Sequence, residues 1–159
     1  MKAWLSALLG VLVAACASLG DDRDLPVYRV IAAESESAQP TAREVLRYLA
    51  AGEIEQAAQL SNAPERRAEV LRDYRRSVGE AEFRRIFGDY EAHKIVAELA
   101  IGERRLLVWD LGKELSGQFF VRAGERFVID DVPSAERSEL RRLLTAYRAG
   151  RLKPLAGTD

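Results

Sequence analysis

The chain has 159 residues, and its only cysteine and only histidine are Cys16 and His93. A disulfide within one chain needs two cysteines, so we expect the hydrophobic core alone to hold the fold together. A zinc site takes three or four cysteine, histidine or carboxylate ligands, and a serine-type triad also needs a histidine beside its nucleophile. We therefore predict no metal site, no cofactor and no catalytic triad.

The chain also lacks an excess of either charge. It carries 24 basic and 25 acidic residues, for a formal net charge of −1. This balance gives no electrostatic reason to expect nucleic acid as a partner. With 48% hydrophobic and 31% charged residues, the composition is that of a globular protein.

The apolar run near the start of the chain is short. It follows Met1 and Lys2 and continues without a charge through residues 3–15. Crossing a bilayer takes about 20 apolar residues, so this run does not read as a transmembrane helix. A basic start, a short apolar stretch and small residues before a cleavage site are typical of a secretory signal peptide. We predict that residues 1–15 form one.

The end of this run, Val13-Ala14-Ala15-Cys16, resembles the lipobox of bacterial lipoproteins. The resemblance implies that the leader is removed before Cys16 and that the cysteine carries a diacylglycerol and a third acyl chain, such as palmitate. Three acyl chains make a lasting anchor, since each buried methylene contributes about 0.8 kcal/mol. In the Gram-negative family an aspartate after the cysteine retains the protein at the inner membrane. Ala17 therefore implies the outer membrane, on its periplasmic side.

The remaining chain divides into three parts. Residues 16–40 read as the lipidated cysteine and a tether of small, acidic and proline residues, 41–150 as a single domain, and 151–159 as a C-terminal tail. Removal of the leader leaves enough chain for one domain and too little for two ordinary ones. The tether contains one apolar patch, residues 27–31, and whether it adds an edge strand to the domain is left open.

The domain reads as helices followed by strands. Apolar residues recur at helical spacing in segments 41–51, 53–60, 62–78 and 80–88. After Tyr90 the apolar period changes to two, over segments 93–101, 104–111, 117–123 and 125–131. A leucine stripe follows in 135–150. The predicted fold class is α+β, with N-terminal helices packed on a curved four-stranded antiparallel meander and a C-terminal amphipathic helix.

Strict alternation assigns each strand residue to one of two faces. We expect the early helices to cover the more apolar face, formed by Ile95, Ala97, Leu99, Ile101, Phe119, Val121, Phe127 and Ile129. The last helix should cover part of the other face, formed by Val96, Ala100, Phe120, Val128, Lys94, Glu98, Arg122 and Arg126. A homodimer that buries this second face is the alternative.

Helices followed by a meander that closes on Gly124, Phe127, Ile129 and Asp130 resemble the NTF2-like (cystatin-like α+β) superfamily. The glycine-acidic break in the stretch YLAAGEIEQAAQL, residues 48–60, is similar to its first helices. The final helix departs from the usual pattern of that superfamily. In some of its enzymes a histidine and an aspartate face the cone between helices and sheet. The resemblance therefore makes His93 and Asp110 a candidate acid–base pair.

Three further groups read as structural. Asp130 and Asp131 are adjacent at a strand end, so they point to opposite faces and should close the strand. The arginine pairs 66–67, 75–76 and 84–85 are spaced half a helical turn out of phase and read as solvated surfaces. The aromatic residues should belong to the core, with the lining of an apolar pocket as the alternative: Trp109, Tyr74, Phe83 and Phe87.

The favoured function is that of a lipid-anchored, non-catalytic cell-envelope protein whose domain binds a partner protein or a small apolar ligand. The first alternative is an NTF2-like enzyme of the isomerase or cyclase type that uses His93 and Asp110. The second is a purely structural component of the envelope.

Overall fold

The computed structural model describes residues 29–30, 36–131 and 134–152, and in this part of the chain the fold is α+β. Helices come first, an antiparallel sheet follows, and one helix ends the domain, as the sequence predicts. The leader, Cys16 and most of the tether lie outside the described residues. None of the described helices is both long enough and apolar enough to span a bilayer.

Four helices form the first layer: α1 (Gln39–Ala50), α2 (Ile54–Ala58), α3 (Pro64–Val78) and α4 (Glu80–Ala92). Gly52 and Gly79, whose φ angles are +80° and +90°, end α1 and α3 where the sequence places the stops. The fourth helix is longer than the predicted 80–88. Tyr90 explains the difference, because it continues the buried stripe of Phe83 and Phe87 and is itself buried.

The sheet has the order β1–β2–β3–β4–β5, and every neighbouring pair is antiparallel. The four predicted strands are β2 (Ile95–Ile101), β3 (Arg104–Asp110), β4 (Leu115–Ala123) and β5 (Arg126–Ile129). Within the apolar patch of the tether, β1 (Arg29–Val30) pairs with Ala100 and Leu99 at the edge of β2. Of residues 27–31, the two that the structure describes therefore do add an edge strand to the sheet.

The sheet lies between two helical layers. Helices α1–α4 cover one face, and their core includes Leu107, Trp109, Phe120, Phe127 and Ile129. Helix α5 (Ser134–Arg148) covers the other face with its predicted leucine stripe, in a core that includes Leu99, Ile101, Leu106, Val108, Phe119, Leu140, Leu143 and Leu144. The packed body also includes Ala38 and Leu152, just outside the predicted limits of the domain.

The predicted assignment of strand residues to faces is wrong for several of them. Ala97, Leu99, Ile101 and Phe119 belong to the layer of α5, and Phe120 lies under the early helices. A register shift between Ile95 and Ala97 leaves Val96 as an extra residue, so the rest of β2 presents the opposite face. Because Phe120 is 1% exposed, it offers nothing for the alternative homodimer to bury.

The turn between β4 and β5 accounts for the second error. Ala123 pairs with Arg126, so the connection has two residues and Phe120 lies opposite Ile129. Strict alternation instead predicts Phe119 on the face of Ile129. A shift of one residue in register moves every side chain of a strand to the other face.

Gly117 lets α5 approach the sheet closely. A Cβ atom at this position would lie 3.0 Å from side-chain carbons of both Leu140 and Leu144, and 3.2 Å from one of Leu106. The absence of a side chain in β4 therefore fits the leucine stripe of α5 onto the sheet.

Candidate functional site

The candidate acid–base residues lie at the same end of the sheet but face solvent. His93 directly follows α4, is exposed, and places its Nδ1 within hydrogen-bond distance of the carbonyl oxygen of Asp89. Asp110 ends β3, is exposed, and its Oδ1 accepts a hydrogen bond from the backbone N–H of Gly112 at 2.8 Å. Each side chain thus stabilises a local turn or helix end, and no contact between the two is among those described.

The space between the early helices and the sheet is filled with aromatic side chains. Trp109, Phe83 and Phe87 are at most 1% exposed, and the rings of Phe83 and Phe87 are 4.7 Å apart. Tyr74 packs on the same two rings at 6.0 and 6.3 Å. The prediction that these aromatic residues belong to the core is confirmed.

Two tyrosines in this core differ in how their hydroxyl groups are satisfied. The Tyr74 hydroxyl is buried and has no hydrogen-bond partner in the described part of the chain. The Tyr90 hydroxyl forms a hydrogen bond with the Ser116 side chain. Burial raises the pKa of both tyrosines above the ordinary value, because it disfavours the phenolate.

An open cleft of about 540 Å³ lies beside the C-terminal end of α5. Its apolar lining comes from Val96, Leu115 and Tyr147. Val96, at 38%, is the only large hydrophobic side chain among the described residues that is classed as exposed. The β-bulge at Val96, which reverses the faces of the rest of β2, thus also leaves this valine exposed.

Charged residues line the same cleft. Asp110 and Glu114 contribute carboxylates, and Arg148 contributes a guanidinium that donates to the carbonyl oxygen of Lys113 at 3.3 Å. Asp110 is therefore the one member of the candidate acid–base pair that lines the cleft, and His93 is not among its lining residues. The lining thus combines apolar side chains with two carboxylates and one guanidinium.

A polar cluster ties the end of β5 to the loop between α2 and α3. Arg67 donates two hydrogen bonds to the Asp131 carboxylate, at 2.8 and 2.7 Å, and the Ser61 hydroxyl donates to it as well. Asn62 donates to Asp130 at 2.6 Å and accepts from the Asp131 N–H at 2.9 Å. The two aspartates close the strand, as predicted, and they do so by binding the preceding helical layer.

Arg67 corrects the interpretation of the arginine pairs. Its side chain is 5% exposed, whereas the sequence interpretation made it part of a solvated surface. Its partner Asp131 lies 64 residues away in the chain and is 17% exposed. Nothing in the local spacing around Arg67 identifies so distant a carboxylate.

The buried carboxylate of Glu98 holds the start of α1. Glu98 is 5% exposed and accepts hydrogen bonds from the Ala38 N–H and the Ser37 hydroxyl, each at 2.6 Å. Beside it, the Arg105 guanidinium donates to the Glu36 carbonyl oxygen at 3.1 Å. One signal in the sequence indicates this role: Glu98 interrupts an otherwise apolar strand, and α1 has no capping side chain of its own.

The described residues contain no group of three or more histidine, cysteine or acidic side chains arranged to hold a metal ion. Comparisons of the chain with protein-family models, with curated proteins and with solved structures found no match.

Proposed function

We propose that this chain is a lipid-anchored cell-envelope protein whose α+β domain binds a partner protein without catalysing a reaction. The observation that carries the proposal is Val13-Ala14-Ala15-Cys16 at the end of a short, uncharged run behind a basic start. Acyl chains on Cys16 would hold the domain at the outer membrane, on the periplasmic side.

The filled core supports a protein partner over a small apolar ligand. A small-molecule site usually encloses most of the surface of its ligand in a concave pocket. Here the side chains that would line a cone between helices and sheet, such as Phe83, Trp109 and Phe120, are at most 1% exposed and pack on one another. The cleft beside α5 is open, which suits a segment that the rest of a partner protein holds in place.

The positions of His93 and Asp110 support a non-catalytic role. An acid and a base acting on one substrate must both come within hydrogen-bond reach of it. His93 contacts the end of its own helix and Asp110 its own turn. We expect His93→Ala to leave any envelope phenotype intact, and loss of that phenotype in a folded His93→Ala protein would favour the enzyme.

The anchor is tested by mass spectrometry of the protein purified from the envelope of a Gram-negative host. We expect a chain that begins at Cys16 and carries a diacylglycerol and an amide-linked acyl chain. Cys16→Ala should abolish both the cleavage and the lipid. Retention of residues 1–15, or a sulfur without lipid, would contradict the proposal.

The membrane is tested with a matched variant. Ala17→Asp should move the acylated protein from the outer-membrane to the inner-membrane fraction on a density gradient, while Ala17→Ser should leave it in place. Equal distribution of the two variants would remove the argument for the outer membrane.

The binding role is tested by affinity purification of the acylated protein from its own envelope, followed by identification of bound proteins and lipids. Recovery of one protein in stoichiometric amount supports the proposal. A bound apolar molecule without a protein would support the ligand alternative, and recovery of neither would support a purely structural component.

A further inference from the structure

The strand register defines two ends of the domain. The chain reaches the sheet at Arg29, which pairs with Ala100, and Ala100 pairs with Arg105 in β3. Arg105 in turn pairs with Phe120, so the turns at 102–103 and 124–125 lie at this same end. If acylated Cys16 is the anchor, as proposed above, this is the end where the tether joins the domain.

The open cleft lies at the opposite end of the sheet. Asp110 and Leu115 pair where β3 ends and β4 begins, and Val96 lies near the start of β2. From Arg105 to Asp110 the strand advances about 17 Å, at roughly 3.3 Å per residue. The cleft and the point where the proposed tether joins the domain therefore lie at opposite ends of the sheet.

The lining of the cleft indicates the chemistry of its occupant. Val96, Leu115 and Tyr147 offer apolar surface, and the exposure of Val96 leaves that surface partly in water. Asp110 and Glu114 form no ion pair among the residues that the structure describes. The guanidinium of Arg148 donates one hydrogen bond to the Lys113 carbonyl oxygen and keeps its positive charge, so the two carboxylates and this guanidinium give the lining an excess of negative charge.

We propose that this cleft binds a segment of a partner protein that presents an aliphatic or aromatic side chain next to a lysine or arginine. The apolar side chain covers Val96 and Leu115, and the cation pairs with Asp110 and Glu114. The inference rests on the proposed partner-binding function and assigns it a surface. It is independent of the identity of the anchor, which bears only on how far the cleft lies from the proposed point of attachment.

The test uses site-specific photocrosslinking of the full-length acylated protein in its own envelope. Val96→p-benzoylphenylalanine places the reactive group in the cleft. Two exposed control positions carry the same group, Glu103 at the opposite end and Glu69 on α3. We expect position 96 to capture one protein that neither control captures, and the crosslinked peptide to contain a lysine or arginine beside an apolar residue.

Neutral variants test the role of charge. Asp110→Asn keeps the oxygen that accepts from the Gly112 N–H, and Glu114→Gln keeps the shape of its side chain. Together they should lower the crosslink yield from position 96 roughly threefold to tenfold, as expected for the loss of two exposed ion pairs. Unfolding midpoints of the variants, followed by Trp109 fluorescence, must match that of the parent.

Several outcomes would overturn the inference: a yield unchanged by the neutral variants, a captured segment without a cation, a second copy of this chain, or a lipid. Capture from position 69 or 103 but not from 96 would also overturn it while leaving the partner-binding function standing. No capture from any of the three positions would overturn the inference, and the affinity purification described above would then decide on the partner-binding function. Mass spectrometry of Cys16 in the same samples reports on the anchor separately.

Discussion

Removing one partner of the ion pair between Arg67 and Asp131 should destabilise the domain far more than removing one partner of an exposed pair with the same geometry. Arg67 is 5% exposed and Asp131 17%, and two hydrogen bonds at 2.8 and 2.7 Å join them. A second pair, Arg72 with Glu55, has the same two-bond geometry at 2.9 and 3.0 Å, but these side chains are 48% and 62% exposed. The two pairs therefore differ mainly in burial.

We expect Asp131→Ala to lower the free energy of unfolding by about 3 kcal/mol. Removing one partner of a buried pair costs about 3–5 kcal/mol, because the other charge stays buried without compensation. The lower end applies here, since Asp131 is partly accessible to water. The variant also removes the acceptor of the Ser61 hydroxyl. In the double variant Arg67→Met/Asp131→Ala part of this loss should return, because no buried charge is left behind.

Urea unfolding of a chain that begins at residue 17, which lacks the proposed leader and anchor, measures the difference. Trp109 is 1% exposed and is the one tryptophan outside residues 1–16, so its fluorescence reports on the core. Glu55→Ala is the matched control and should leave the midpoint within experimental error, since exposed pairs contribute little. Equal losses for Asp131→Ala and Glu55→Ala would refute the reasoning from burial.

Three further predictions use the same assay. Tyr74→Phe should be neutral or slightly stabilising, because the Tyr74 hydroxyl has no partner among the described residues. Tyr90→Phe should lower the free energy of unfolding by about 1 kcal/mol, because it removes the hydrogen bond to Ser116. A larger loss for Tyr74→Phe than for Tyr90→Phe would contradict this. Burial raises the pKa of both tyrosines, so the unfolded chain releases these protons at lower pH than the folded one. Stability should therefore fall as pH rises above about 10, and less steeply in the Tyr74→Phe/Tyr90→Phe protein; identical slopes between pH 8 and 11 would argue against it. Gly117→Ala should lower the free energy of unfolding by about 1–3 kcal/mol, because the added Cβ pushes α5 off the sheet. Gly88→Ala should raise it by about 0.5–1 kcal/mol, because a Cβ there meets no atom within 4 Å and alanine favours the helix. Unfolding midpoints that rank the two variants the other way would show that α5 can move freely.

The sequence predicts the elements of this fold better than their faces. Helical spacing and period-two alternation identify the four early helices, the meander and the final leucine stripe, because both patterns depend on residues close together in the chain. The face of a strand depends also on register. One extra residue at Val96 and a two-residue turn after Ala123 reverse it, and neither leaves a distinct mark in the composition.

The candidate site shows the same limit. The sequence analysis singles out Asp110 as the acid–base partner of His93. In the structure, His93 instead contacts the end of its own helix. The residues that line the cleft come from β2, β3, β4 and α5, and only their packing brings them together. The carboxylates of Glu98, which is buried, and of Asp131, which is partly buried, likewise acquire their roles from partners about 60 residues or more away.

The pairing of Arg29 with Ala100 limits how far the domain could lie from the proposed anchor at Cys16. If the chain joins the sheet at Arg29, only residues 17–28 separate it from the proposed anchor at Cys16. Twelve residues reach at most about 40 Å when fully extended, and about 19 Å on average as a flexible coil. If the anchor lies in the outer membrane, as proposed, a partner held deeper in the periplasm than this would have to approach the membrane itself, and the domain would meet components close to that membrane.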